Sequence, residues 1–161
     1  MTNEEIKTSI VALNPAAILE DSGEWINIVI DSILWKPFAL QLRTITTLDF
    51  DYLFCLTCID WKTHFTLVMH LTSTTRRHTV VVKTKLDKDN PVADTVSDIW
   101  MTAEFHEREV YDLFGVRFTG HPDLRRILMP EEFTAFPLRK DYPLQGRGER
   151  HNFPVLERSE A

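Results

Sequence analysis

Glycine is scarce: five occur in 161 residues. None belongs to a GxGxxG or GxxxxGK[ST] run, so the backbone cradle that holds a nucleotide phosphate is missing. No GxSxG frames a serine nucleophile. Cysteine is scarcer still, with Cys55 and Cys58 as the pair. Two thiols make neither a disulfide scaffold nor the full ligand set of a structural zinc or an iron–sulfur cluster. The six histidines include no HExxH. No apolar run approaches the roughly 18 residues of a membrane span. The opening MTNEEIKTSI lacks a basic stretch followed by an apolar one, so no secretory signal is expected and the cytoplasm is the default compartment. Basic charge is also short, with 18 Lys and Arg against 24 Asp and Glu and a net charge of −6. A nucleic-acid binder carries the opposite balance.

What is present fits one globular unit. Apolar residues make up 43% and charged residues 26%, close to the average for folded domains. The basic residues are unevenly spread. Up to Ala103 they are six Lys and three Arg; from Glu104 onward they are one Lys and eight Arg. Six of the ten Phe and five of the eight Pro also fall after residue 103.

Periodicity predicts an α+β fold, a mostly antiparallel β-sheet with helices on one face and an irregular C-terminal arm. Residues 1–23 read as a helix and turn, with Ile6, Ile10 and Leu13 at helical spacing. A strand is expected over Glu24–Asp31 and a helix from Pro37 to about Thr47. Three β-rich runs follow, Tyr52–Ile59, His64–Leu71 and Thr79–Leu86. Their short connections predict an antiparallel meander. Val92–Trp100 reads as a short helix. The next helix is bracketed by Thr102 as N-cap and Gly115 as C′ residue. Prolines 130, 137, 143 and 154 then forbid long helices. Residues 1–130 are expected to form the core domain and 131–161 an extended arm.

The CxxC is expected to be structural, since residues three apart on a strand point to opposite faces. His121, held between Gly120 and Pro122, suits a hydrogen-bonding strut. The helix after Thr102 carries Glu104, Glu107, Arg108, Glu109 and Asp112 among apolar side chains. Buried carboxylates need partners, and Arg117, Arg125 and Arg126 follow just downstream. A paired network that pins the arm to the domain is therefore expected. The segment from Phe133 to Phe153 mixes Phe, Tyr, Pro and Arg, the composition of an interface strap. Residues 104–150 hold nine acids against eight bases, which removes the positive field RNA would require. Two other readings stay open at this level: a small acid–base enzyme using Glu107, Glu109 and His121, and a homo-oligomeric scaffold.

The run from Glu107 to Leu128, EREVYDLFGVRFTGHPDLRRIL, resembles the signature of the C subunit of NADH-quinone oxidoreductase, respiratory complex I. Glu107, Arg108, Glu109 and Asp112 match its acidic-basic opening, Gly115 its FG, Gly120, His121 and Pro122 its GHP, and Arg125 and Arg126 its basic pair. Pro137–Pro143, with Arg139, Lys140 and Asp141, resembles the second block. The resemblance covers roughly residues 24–144. It implies a non-catalytic member of the peripheral arm, in which the matching residues dock and support. It implies no cofactor in this chain, with FMN, the iron–sulfur clusters and quinone held by other subunits. It also implies partners in the peripheral arm, chiefly the large quinone-site subunit, at the cytoplasmic side of the cell membrane. Related subunits serve membrane-bound hydrogenases and NDH-type complexes with other electron donors.

Overall fold

The structure, a computed structural model, describes residues 2–20 and 24–148. Expectations for residues 21–23, for the strap and tail past residue 148 and for Arg150 lie outside the described residues.

The chain opens with helix α1, Asn3–Leu13. Thr2 and Glu5 form a reciprocal capping box that satisfies two otherwise orphaned backbone N–H groups. Strands β1 (Ile18–Glu20) and β2 (Ile26–Ile30) follow, then helix α2, Trp35–Thr44. The long strands β3 (Tyr52–Asp60), β4 (His64–Ser73) and β5 (His78–Asp87) form the expected antiparallel meander. Beyond it lie β6 (Val92–Asp94), helix α3 (Ala103–Phe114) and β7 (Arg117–Thr119).

The main sheet has the order β1-β2-β5-β4-β3. Its two-residue period decides the core. Phe65, Leu67, Met69 and Leu71 of β4 and Val80, Val82 and Leu86 of β5 are buried against Ile6 and Ile10 of α1, Trp35, Phe38 and Leu42 of α2, and Val110 and Phe114 of α3. The intervening residues face the other way. Trp25 meets Phe54 and His70 edge to face there, and those two rings lie tilted against each other, with Ile59 and Trp61 exposed.

Long-range pairing corrects the expectations for residues 1–23 and for Val92–Trp100. The short strand β1 joins the sheet antiparallel to β2, although its three residues offer no alternation long enough to read. Strand β2 then pairs with β5 in parallel, closing a contact across more than fifty residues. Val92–Trp100 is not a helix, because residues 92–94 pair in parallel with β7 and turns carry the chain on to Trp100. Thr102 does not cap α3 through its side chain; its backbone is already helical. Its hydroxyl donates instead to the Leu53 carbonyl at 2.8 Å, tethering the helix to β3.

Candidate functional site

Helix α3 organises the region. Its apolar positions fall on several faces, so Glu107 and Asp112 are fully buried while Glu109 is exposed. The helix ends at Gly115, whose φ of +76° supplies the left-handed cap. The chain then runs through β7 and the Gly120-His121-Pro122 turn and folds back along α3.

Asp112 is the centre of the fold-back. One carboxylate oxygen accepts from Arg126 at 2.6 Å, and the other accepts the backbone N–H groups of Ile127, Leu128 and Met129 at 3.1, 2.7 and 2.8 Å. Burial pushes this carboxyl upward, but three N–H donors and a guanidinium outweigh it, so Asp112 sits below its ordinary value. Arg126 also reaches the carbonyls of Asp112 and Ala135, and its guanidinium stacks near Phe133 and Phe136. Arg108 donates to the carbonyls of Arg125 and Arg126. Of the expected acid–arginine network one pair is present, the buried Asp112 and Arg126.

Other members of the set behave differently. Among the described residues Arg125 pairs only with neighbouring Asp123 at 2.8 Å, with its side chain 66% exposed. Arg117 donates to Asn90 rather than to a helix acid. We expect Arg125→Ala to change unfolding free energy by less than about 0.5 kcal/mol, as for exposed pairs generally. Urea unfolding checks this, and a loss above about 1 kcal/mol would contradict it.

Among the described residues Glu107 meets no arginine. Its carboxyl accepts from the Val96 N–H at 2.8 Å and the Thr95 hydroxyl at 2.5 Å. His121 lies beside it, Nε2 to Oε2 at 3.9 Å, with both side chains sealed from solvent. Nε2 of His121 hydrogen-bonds the Glu104 carbonyl at 3.0 Å, so it carries the proton; Nδ1 accepts from the Asp123 N–H at 3.0 Å. An accepting nitrogen bears no proton, so the ring is neutral and acts as the expected strut. Burial pushes Glu107 up to about 7, against the Thr95 and Val96 donors. Glu109 is exposed while the other two are sealed, so Glu107, Glu109 and His121 do not converge on one substrate position.

A third anchor has no counterpart in the expected network. Asp60, at the end of β3, is buried. It accepts from the Lys88 ammonium at 2.7 Å and from the Lys140 backbone N–H at 2.9 Å. Burial raises its carboxyl, yet these donors and the Lys62 N–H bring it down to about 2. Arg139 donates to the Phe114 carbonyl at 2.6 Å and stacks near Phe65 and Phe136. The Leu138 N–H donates to the Leu113 carbonyl at 3.1 Å. Residues 126–140 are thus stitched to the body, while Asp141, Pro143 and Leu144 are exposed. The one signal for Asp60 in the sequence is a charged residue closing an otherwise apolar strand.

Cys58 is buried and Cys55 half-buried on the opposite sheet face, and both are free. Burial pushes the Cys58 thiol up to about 12, and burial with nearby Glu109 raises Cys55. Neither is an activated thiolate. Among the described residues no group of three His, Cys, Asp or Glu side chains could hold a metal ion. No helix among them is long and apolar enough to cross a membrane.

Residues 28–148 match the family described as respiratory-chain NADH dehydrogenase, 30 Kd subunit. The chain is 43% identical over 120 residues to the NADH-quinone oxidoreductase C subunit of Chlorobium phaeobacteroides, covering 73% of this chain and 72% of that one. It is 47% identical over 94 residues to the NADH-quinone oxidoreductase C/D subunit of Phocaeicola vulgatus, covering 57% of this chain and 18% of that longer one. In structure it is similar to a chain of the membrane-bound sulfane sulfur reductase, an archaeal respiratory membrane complex. That likeness has a TM-score of 0.78 at 28% identity and covers 98% of this chain and 95% of the other.

Proposed function

Since the chain belongs to the family of the respiratory-chain NADH dehydrogenase 30 kDa subunit, the C subunit of NADH-quinone oxidoreductase, we propose that it is a non-catalytic support of the quinone-reducing module. Its main partner is the large quinone-site subunit. FMN, the iron–sulfur clusters and quinone are held by other subunits. The chain sits peripherally at the cytoplasmic side of the membrane, attached through the complex.

The observation that carries this reading is the fate of the charged groups. Asp112, Arg126 and Arg139 are occupied in holding residues 126–140 against α3 and β3. They therefore shape a strap rather than attack a substrate. Along that strap Ile127, Leu128 and Leu138 remain exposed, as does Leu144 just beyond it, the apolar anchors a protein partner would cover. Gly115, Gly120, His121 and Pro122 set its path, and Arg108, Arg125, Lys140 and Asp141 line it. The joined name of the C/D relative supports the D-type subunit as the neighbour.

The test is affinity purification of the full chain from its own cells at low detergent, with identification of the bound chains. Recovery with the large subunit and other members of the peripheral arm is expected. Recovery alone, or as a symmetric oligomer of itself, would overturn the reading. A second reading, the equivalent subunit of a related complex with another electron donor, rests on the likeness to the sulfane sulfur reductase chain. The purified complex separates the two: NADH oxidation coupled to quinone reduction favours the first.

A further inference from the structure

The buried carboxyl of Glu107 takes no part in the strap. It lies where α3, the turn after β6 and the Gly120-His121-Pro122 turn meet. A buried carboxylate is stable when a cation pairs with it. Here the adjacent imidazole is neutral, because its two nitrogens are engaged by the Glu104 carbonyl and the Asp123 N–H. The other charged groups facing Glu107 are Asp98 on the turn, which disfavours its ionisation, and Lys36 on α2, which favours it. Those two pair with each other at 2.8 Å, so their fields largely cancel. On β6, Asp94 is exposed.

The hydroxyls beside Glu107 can satisfy either charge state. Thr95 Oγ1 is 2.5 Å from Glu107 Oε2, 2.8 Å from Ser97 Oγ and accepts the Ser97 N–H at 3.1 Å. With Glu107 ionised, the Thr95 hydroxyl donates to the carboxylate and accepts from the Ser97 hydroxyl. With Glu107 protonated, its O–H donates to Thr95 Oγ1, and the Thr95 hydroxyl turns to donate to Ser97 Oγ. In both arrangements Thr95 makes one donation and accepts two bonds, the full capacity of a hydroxyl. Ser97 is half-buried, so the chain of bonds runs from the sealed carboxyl toward solvent.

We propose that Glu107 is a reversible proton-binding site of the folded chain, and that the Thr95 and Ser97 hydroxyls reverse their direction of donation when it loads. The proton enters from solvent and no other bond changes. Loading removes an unpaired buried charge from the joint that carries the strap.

The sign of the stability effect follows from linkage. Glu107 is raised from 4.5 to about 7, so the folded state binds more protons than the unfolded state between those values. Its contribution is complete below about pH 4.5 and is lost as pH rises through about 7. His70 and His78 run the other way, since burial lowers both and their neutral forms stabilise the fold as pH rises.

The test is infrared titration of the full-length chain carrying 13C-labelled glutamate. A protonated-carboxyl band is expected that disappears between about pH 5.5 and 8.5, either side of the Glu107 value, and is missing in Glu107→Gln. Ser97→Ala removes the acceptor that the loaded state requires, so the midpoint is expected to fall. The difference in melting temperature between wild type and Glu107→Gln should widen against wild type as pH rises, a comparison that cancels the histidines. If Glu107→Gln does not fold, the wild-type and Ser97→Ala titrations still decide. A labelled band that does not titrate in this window would overturn the proton site; an unchanged midpoint in Ser97→Ala would overturn the reversal.

Discussion

Asp112→Ala is expected to destabilise the protein by roughly 3–5 kcal/mol at pH 7, the range for breaking a buried ion pair from one side. The side chain is sealed from solvent and its Arg126 partner is 12% exposed. Removing the carboxylate leaves that guanidinium without its counter-charge. It also leaves the N–H groups of Ile127, Leu128 and Met129 without their acceptor, and each orphaned donor carries a desolvation cost. Arg126→Ala is expected to cost less, because the three N–H groups still hold the carboxylate. Asp112→Asn should fall between wild type and Asp112→Ala, since its amide keeps one accepting oxygen. Urea unfolding of the three variants gives the ranking; a loss below about 1 kcal/mol for Asp112→Ala would contradict it. The acid limb carries the same signature. Asp112 and Asp60 lie below their usual value of 3.8, with Asp60 at about 2. Their stabilisation is therefore present above about pH 4 and lost as pH falls toward 2.

Gly115→Ala is expected to cost roughly 2–4 kcal/mol, from two sources. The φ of +76° is a conformation that an L side chain adopts at a cost of about 1–2 kcal/mol. A Cβ at this position would also meet Phe136 Cε2 at 2.6 Å and Arg139 Nη2 at 2.8 Å. Those two side chains are what hold the strap over the end of α3, so relief of the clash loosens it. Gly120→Ala is the control. Its φ of +81° carries the same strain, but the nearest atom, Thr95 Cγ2, stands at an ordinary 3.5 Å. Limited trypsin digestion separates strain from undocking. In wild type, cleavage after exposed Arg147 should precede cleavage after Arg139, which is tied to Phe114. In Gly115→Ala the cut after Arg139 should appear early, and in Gly120→Ala it should not. Identical digestion patterns in the two variants would argue against Gly115 as the seat of the strap.

The residue pattern alone carries the meander, because β4 alternates large apolar side chains with Thr, Val and His over its full length. It carries α3 through a glycine that can take a left-handed cap. It places Cys55 and Cys58 on opposite faces by parity. It also leads from the acids of α3 to arginines downstream, and Asp112 with Arg126 is that pair. The same logic fails for Glu107, which faces an equally suitable set of arginines along the chain. Its partners are Thr95 and Val96, which periodicity assigns to a helix and the fold places in irregular chain just after β6.

Short-range features are thus written directly in the chain: strand faces, helix ends, the crowding of arginine and aromatic side chains after residue 103, and a family signature of consecutive residues. Which buried charge meets which partner emerges only from the assembled fold. Strand β6 exists because β7 lies beside it, and Asp60 matters because Lys140 arrives from eighty residues away. The physical reason is that a buried polar group must be satisfied by whatever donor the folded chain brings near, and that neighbour is fixed by packing, not by spacing along the chain.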